Sequence, residues 1–359
     1  MSEPAQRRRQ EQEAASSEVA EVAPGVLRLQ LPIQFTGLGH VNCYALVDEA
    51  GVALVDAGMP GRATWKAIEE RLEAAGIELE AVHSVIVTHS HPDHFGSAEL
   101  LAKRAGADLI VERSFQTWLD RPQPSDSPYV EMARTGRTPW GGIPFEWSRR
   151  QRLGHRLARH GLAPYARPPR PTRRLHHGEQ LELAGRSWRA LHTPGHTGDH
   201  LCLYDEEAGV LLSGDHVLPT ITPHIGGITP LADPLGTFAA SLAGLLQLGV
   251  TTVLPAHGHP FSDLAGRVRQ ILAHHDRRLA SLREAAGGGE ESVVELARRL
   301  FPARLWGMMA ESETYAHLEF LRLRGEAERF ERGGELCYRV DSGGGSSATS
   351  AALDCGRHS

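Results

Sequence analysis

Four side chains that can bind a metal ion stand within the short segment His89-Ser90-His91-Pro92-Asp93-His94. The segment follows the apolar run Val82 to Thr88, which predicts a buried strand. The chain turns where a strand ends, so alternate residues can face two adjacent points and serve two metal ions. Imidazole and carboxylate groups are ligands for zinc, iron or manganese, and the lack of nearby thiolates disfavours an iron–sulfur centre.

Three later strand ends carry the same kinds of side chain. His196, Asp215 and His257 each follow an apolar run, and each lies in a turn that contains glycine. This recurring context indicates that they belong with the first motif in one metal site. A structural alternative, in which all seven are ordinary polar residues in turns, requires the ordered set to arise by chance.

The elements that must position these residues alternate between strand and helix patterns, which predicts an α/β fold. Predicted strands include Val26 to Leu31, Asn42 to Val47, Val52 to Asp56, Val82 to Thr88, Leu201 to Tyr204, Val210 to Ser213 and Thr252 to Pro255. Predicted helices include Arg62 to Ala75, Pro234 to Leu248, Ser262 to Ala286 and Thr314 to Leu323.

The combined motifs resemble those of metallo-β-lactamase-fold hydrolases, in the subgroup that includes hydroxyacylglutathione hydrolases. The resemblance covers roughly residues 26–272 apart from an insertion, and it implies a four-layer αββα sandwich with two divalent metal ions at the sheet edge. Zinc is the expected metal, and iron and manganese suit the same ligands. The resemblance implies a first metal on His89, His91 and His196, a second on Asp93, His94 and His257, and Asp215 as the bridge.

The resemblance also extends to Leu54-Val55-Asp56-Ala57-Gly58, in which Asp56 is expected to orient a ligand imidazole or its loop. A water between two cations loses a proton near neutral pH, since zinc lowers the pKa of its bound water to about 7, so the expected nucleophile is a metal-bound hydroxide. Asp93 and Asp215 are the predicted catalytic carboxylates, because either could accept or pass a proton. This chemistry needs no serine or cysteine nucleophile.

Composition shifts along the chain predict four segments. We expect a disordered tail over 1–22, a catalytic domain over 23–286 with an insertion at about 115–175, a winged-helix-like domain over 290–341, and a disordered tail over 342–359. Within the insertion, 148–174 holds nine arginines and no acidic residue. We expect the insertion to form a helical lid over the substrate cleft.

Four residues are candidates for lining that cleft: His40, His224, Trp140 and Arg149. The arginine-rich stretch could form a cationic wall for an anionic substrate, such as the phosphates of coenzyme A, the carboxylates of glutathione or an RNA backbone. Its alternative is a solvated helix face, the commoner outcome for such a run. For the histidines the alternative is a hydrogen-bonding role in loops.

The segment from Glu311 to Gly325 resembles the winged-helix module of some lactamase-fold proteins, including a mitochondrial lactamase-like endoribonuclease. A winged helix suggests nucleic acid by analogy only. Several glutamates in this region would repel phosphate, so packing against the catalytic domain is the favoured role: Glu311, Glu313, Glu319, Glu326, Glu328 and Glu331.

Composition and charge limit the possible partners and location of the protein. The 359-residue chain has a formal net charge of −6, which disfavours non-specific binding to nucleic acid. No apolar run approaches the ~20 residues that a membrane span needs. The N-terminal arginines precede no apolar run, so no secretory signal is expected, and the four cysteines are widely spaced. These features predict a cytoplasmic location, and they do not indicate an oligomeric state.

The sequence therefore predicts a dinuclear metallohydrolase that cleaves a thioester or related ester bond in a small anionic substrate of the acyl-CoA or acyl-glutathione type. An endoribonuclease that uses the C-terminal module is the first alternative, so a nucleic-acid partner stays open without being favoured. Lactone or β-lactam hydrolysis is a further alternative. A metal-binding protein without turnover is the non-enzymatic one.

Overall fold

The computed structural model describes residues 9–35, 37–117, 119–120, 132, 136–141, 148–163 and 165–341. The strands are β1 (Ala20–Ala23), β2 (Val26–Phe35), β3 (Leu38–Asp48), β4 (Gly51–Val55), β5 (Val82–Ile86), β6 (Asp108–Glu112), β7 (Arg173–Leu175), β8 (Gln180–Leu183), β9 (Arg186–His192), β10 (Leu201–Asp205), β11 (Val210–Gly214), β12 (Thr252–Pro255), β13 (Glu291–Ser292), β14 (Ala327–Arg332) and β15 (Glu335–Val340). The helices are α1 (Arg62–Ala74), α2 (Pro92–Phe95), α3 (Ala98–Ala105), α4 (Arg149–Arg159), α5 (Pro234–Leu245), α6 (Leu264–Ala285), α7 (Val293–Leu300) and α8 (Met308–Leu323).

Two mixed sheets form the centre of the molecule. The first has the order β1-β2-β3-β4-β5-β6-β7, and the second has the order β12-β11-β10-β9-β8. In the first sheet β1 to β4 are antiparallel, whereas β4 to β7 run parallel. In the second sheet only β11 and β12 are parallel. The metal-capable residues follow the carboxyl ends of β5, β9, β11 and β12, which brings them to one region of the sandwich.

The sheets pack face to face and helices cover both outer faces. Leu46 and Ile86 from the first sheet share a core with Leu203 and Leu254 from the second, and all four are fully buried or nearly so. Helices α1 and α3 pack on the outer face of the first sheet, and α5 and α6 pack on that of the second. The α/β sandwich predicted from the sequence is therefore confirmed.

The C-terminal elements join the core of the second helical layer. Leu296 of α7, Phe320 of α8 and Tyr338 of β15 lie in one apolar cluster with Phe238 of α5 and Leu272 of α6. A small sheet of order β13-β15-β14 completes this part. Helix α8 begins at Met308, before the predicted start at Thr314, because the exposed methionines of its first turn hide the apolar periodicity.

The end of the expected insertion belongs to the sheet. Strand β7 pairs in parallel with β6, so Arg173–Leu175 extends the first sheet and is not part of a lid. The arginine-rich helix α4 precedes it, with Leu153 and Leu157 exposed on its surface. The expected C-terminal tail, 342–359, lies outside the described residues, as do 1–8. Within the described part of the chain, no helix is long and apolar enough to cross a membrane.

The expectation of a disordered tail over 1–22 is wrong for residues 9–22. Gln10–Gln12 form a 3-10 turn, and β1 pairs with β2. The Glu11 side chain is fully buried and accepts hydrogen bonds from the amides of Thr220 and Ile221, at 2.7 and 3.0 Å, and from the Thr220 hydroxyl. The polar composition concealed this segment because its main anchor is a carboxylate.

Glu11→Gln is expected to destabilise the fold in a pH-dependent way. Burial alone would raise the pKa of Glu11, but its hydrogen bonds outweigh burial and lower the pKa below the usual 4.5. The stabilisation from the ionised carboxylate is therefore present above pH 4.5 and is lost as the pH falls. Charge-assisted hydrogen bonds contribute roughly 1.5–3 kcal/mol, so we expect a loss of about 2 kcal/mol at neutral pH.

Urea unfolding at several pH values checks this prediction, with the exposed Glu18→Gln as the control. The difference between wild type and Glu11→Gln should shrink as the pH falls below 4.5. A difference that stays constant with pH, or that equals the effect of the control, would contradict the assigned role of Glu11.

Candidate metal centre

The structure brings all seven predicted ligand residues together in two groups. His89, His91, His196 and Asp215 form one group, and Asp93, His94 and His257 form the other; the donor atoms of each group lie within 4.8 Å of one another. The membership follows the division expected from the sequence.

Asp215 lies between the two groups. Its Oδ2 is 3.9 Å from His89 Nε2, 3.6 Å from His196 Nε2 and 3.6 Å from His94 Nε2. Its Oδ1 is 3.2 Å from His257 Nε2. The two oxygens of a single carboxylate thus face imidazoles of both groups, which is the position required of a bridging ligand.

Local structure explains how each donor reaches this point. Helix α2 begins at Pro92, so Asp93 and His94 lie in its first turn directly after the His89 and His91 loop. Asp215 directly follows β11, and its amide donates to His200 Nε2 at 3.1 Å. Asp93, His94 and Asp215 are thus placed in or directly beside a regular element.

Several donor atoms are buried without a hydrogen-bond partner. They are His94 Nε2, His257 Nε2 and Asp215 Oδ1; the 3.2 Å approach between the last two lacks hydrogen-bond geometry. An unsatisfied buried polar atom costs roughly 1–3 kcal/mol, so such atoms call for a partner. A divalent cation would supply one, and nitrogen and carboxylate donors are the ligand set that zinc takes. The residues present therefore fit a metal centre.

The first group also contains donor atoms whose hydrogen-bonding capacity the protein does not satisfy. His91 Nδ1 lies 3.0 Å from His89 Nε2 and 3.0 Å from His196 Nε2. Three imidazole nitrogens that converge in this way cannot all be satisfied by one another's protons. Their separation suits a shared metal, since zinc–nitrogen distances are about 2.0–2.1 Å.

In His94, His196 and His257, the ring nitrogen that faces away from the donor cluster contacts an oxygen atom of the protein. His94 Nδ1 contacts Asp56 Oδ2 at 2.7 Å, His196 Nδ1 contacts the His224 carbonyl at 2.8 Å, and His257 Nδ1 contacts the His40 carbonyl at 2.7 Å. A proton on Nδ1 leaves the lone pair of Nε2 free to face the donor cluster. This arrangement is typical of metal-binding histidines.

The electrostatic environment differs between the two groups. Burial lowers the pKa of His89 well below its usual value and that of His91 to about 3, so both rings are neutral and ready to bind a cation. For His94 and His257, burial also opposes the charged form, but neighbouring carboxylates, including Asp215, outweigh it and raise the pKa. Metal binding at the second group is therefore expected to release protons.

A family model for the metallo-beta-lactamase superfamily matches residues 36–257. The chain belongs to this superfamily. The matched range contains all seven clustered residues together with Asp56, and the predicted fold and hydrolase class are confirmed at that level.

Relatives span nearly the whole chain. A probable metallo-hydrolase from Bacillus subtilis is 24% identical over 88% of this chain and 98% of its own length. An atrochrysone carboxyl ACP thioesterase from Passalora fulva is 27% identical over 83% of this chain and 73% of its own length. A metallo-beta-lactamase family protein from Thermus thermophilus is 31% identical, with a TM-score of 0.74 over 89% of this chain and 100% of its own.

Asp56 occupies the position expected of a carboxylate that orients an imidazole. Besides contacting His94, it accepts hydrogen bonds from the Thr88 amide at 2.8 Å and from the Thr88 hydroxyl. Its φ of 63° is left-handed, a conformation that aspartate and asparagine tolerate better than other residues with side chains. Thr88 was not predicted from the sequence; its position directly before His89 is the signal that could have identified it.

Asp56→Asn is expected to weaken metal binding while keeping the backbone turn. The amide presents one acceptor in place of a charged carboxylate, so His94 loses its anionic partner. Changes to such partners lower metal affinity by about 10–100-fold. Zinc competition with a chromophoric chelator measures this, with Asp48→Asn, at the end of β3, as the control. Equal zinc affinities for wild type and Asp56→Asn would contradict the role assigned to Asp56.

Two of the four predicted cleft residues are buried and do not line a cleft. His40 is fully buried, with Nδ1 bonded to the Glu13 carbonyl and Nε2 accepting from the Gly258 amide, so it holds the His257 turn in place. Trp140 is 1% exposed, and its indole donates to Glu311 at 3.0 Å. Both sequence predictions are wrong because these side chains join the packed interior.

The other two candidates remain accessible. Arg149 is exposed at the first position of α4. His224 is half-buried, and its backbone carbonyl contacts His196 Nδ1. Another residue that the sequence did not single out is Asp199, whose Oδ1 accepts from the Ser90 hydroxyl at 3.1 Å and so connects the loop of His89 and His91 to the loop of His196. Its place three residues after His196 was the available signal.

Proposed function

We propose that this protein is a dinuclear metal-dependent hydrolase that cleaves acyl thioesters, with zinc as its metal. The observation that carries the proposal is the pair of donor groups that share Asp215, with unsatisfied donor atoms facing the shared space. The thioesterase activity named for the fungal relative supports a thioester over other ester-like bonds.

Each group of side chains has a distinct task. His89, His91 and His196 would hold one cation, Asp93, His94 and His257 would hold the other, and Asp215 would contact both. When bound, the pair of cations would lower the pKa of water and polarise the thioester carbonyl.

Proton transfer is assigned to the carboxylates. Asp93 is the more exposed of the two, with 16% of its side chain accessible against 10% for Asp215. Its Oδ2 lies 3.5 Å from His257 Nε2. Asp93 is therefore placed to take a proton from attacking water and to return it to the departing thiol.

The surrounding segments suggest an anionic substrate. Helix α4 carries five arginines and no acidic residue, and we infer that it belongs to a lid over the cleft. Residues 290–341 are proposed to form a winged-helix-like module whose role is packing, since α7 and α8 share the apolar core of α5 and α6. A coenzyme A, glutathione or carrier-protein thioester would meet this charge requirement.

A substrate panel tests the proposal. Acyl-CoA, acyl-glutathione, acyl-phosphopantetheine, a lactone and single-stranded RNA are each incubated with zinc-loaded and chelator-treated protein. We expect thiol release from at least one thioester with zinc and loss of that rate after chelation. Cleavage of RNA alone, with rates that fall steeply with salt, would favour the endoribonuclease alternative. Lactone hydrolysis alone would place the chain in another class.

A further inference from the structure

The loop between β11 and α5 connects the donor cluster to the C-terminal helix. At one end of the contact, the His224 carbonyl accepts from His196 Nδ1 at 2.8 Å. The next residue, Ile225, is fully buried in the core that α8 shares. The orientation of the His196 ring therefore depends on where this loop lies.

Helix α8 contacts the loop closely with its backbone and side chains. The Gly227 amide donates to the Ser312 carbonyl at 3.1 Å and to the Ser312 hydroxyl at 3.0 Å. A Cβ on Gly227 would lie 2.2 Å from the ring of Tyr315, so only glycine permits this approach. The loop and helix α8 are therefore joined by specific hydrogen bonds and close packing.

Glu313 meets the side chain of the residue that holds His196. Its Oε2 lies 3.6 Å from His224 Nδ1, and its Oε1 lies 3.2 Å from Arg278 Nε on α6. Burial alone would raise the pKa of Glu313, but the contact with His224 and the nearby positive charges lower it to about 2. The carboxylate is therefore charged at neutral pH and attracts the His224 ring.

We propose that Glu313 is a positioning residue that acts through His224 to hold the His196 imidazole toward the metal centre. The inference rests on the proposed metal site, and it extends that site beyond the family-matched residues 36–257 to a helix that begins at Met308. Helix α8 would then serve the metal centre in addition to packing.

The test measures zinc affinity with a chromophoric chelator in the full-length protein. Glu313→Gln is expected to weaken one of the bound zinc ions by about tenfold, the lower end of the range for residues behind a ligand. Glu319→Gln is the matched control. Glu319 is a buried carboxylate on the same helix that pairs with Arg322 and Tyr338. The control should lower the melting temperature and leave zinc affinity unchanged.

A double-mutant cycle separates positioning from general destabilisation. His224→Ala should weaken zinc binding about as much as Glu313→Gln, and the double variant should bind no more weakly than either single one, because both lie on one path. His224 is partly exposed, so this variant keeps the test open if Glu313→Gln fails to fold.

The outcomes are distinguishable. Wild-type protein that binds no zinc would overturn the proposed function itself. Wild-type protein that binds zinc, with unchanged affinity in Glu313→Gln or in His224→Ala, would overturn this inference alone. Additive losses in the double variant, or an equal loss in Glu319→Gln, would also overturn it.

Discussion

Asp215→Ala is expected to weaken metal binding at both donor groups and to lower the metal content below two equivalents per chain. Its two oxygens face His89, His94 and His196 on one side and His257 on the other. Without the carboxylate, each group keeps only three donors, and three closely spaced imidazoles lose the negative charge that offsets a shared dication. The loss of several kcal/mol of metal-derived stabilisation corresponds to at least about a 10³-fold fall in thioester turnover.

Elemental analysis and thiol-release kinetics check this expectation. Asp205→Asn is the control, because Asp205 is also a buried carboxylate at the end of a strand in the second sheet and it pairs with Arg186. The control should lose stability and retain its metal. Two equivalents of metal in folded Asp215→Ala would contradict the assignment of Asp215 as a bridging ligand.

His257→Ala and His91→Ala are expected to produce complementary losses. Removing His257 leaves the second group with Asp93, His94 and the shared Asp215, and so takes away its second imidazole and weakens that site selectively. Removing His91 depletes the first group instead. Each variant should retain about one metal equivalent and lose at least about 10²-fold in turnover, since a pair of metals shares the charge stabilisation.

His259→Ala is the matched control for the second group. It lies two residues after His257 in the same turn, but its ring is exposed and bonds to Glu13 at 2.9 Å. This variant should keep both equivalents. If His257→Ala and His91→Ala each retained two equivalents, the division of the donors into two sites would be wrong.

The donor cluster could be predicted from the sequence because its residues follow strand ends. In the second sheet β9, β11 and β12 run in the same direction, so His196, Asp215 and His257 follow carboxyl ends at one edge. They meet His89 there although the four residues are far apart in the chain. Asp56 was predicted from the resemblance of its motif, Leu54 to Gly58, to one in the family. The strand and helix patterns predicted an α/β fold, whereas the αββα layering was implied by the resemblance to metallo-β-lactamase-fold hydrolases.

Other parts could not be predicted because their partners are distant and polar. In the sequence, Glu11 is one of several charged residues in a polar segment. Its burial depends on the distant Thr220, whose amide donates to it. His40 and Trp140 looked like cleft residues because a histidine near strand ends and a tryptophan in an insertion carry no sign of burial. The contact of Glu313 with His224 joins two segments whose patterns show only a loop and a helix.

The account is tested most directly by titrating zinc into metal-stripped protein while following thiol release from an acyl thioester. Two donor groups that share Asp215 predict that the rate rises with added zinc and becomes constant at about two equivalents per chain. A thioester-cleaving rate that is already maximal in the metal-stripped protein, or that never appears when two equivalents are bound, would contradict the account.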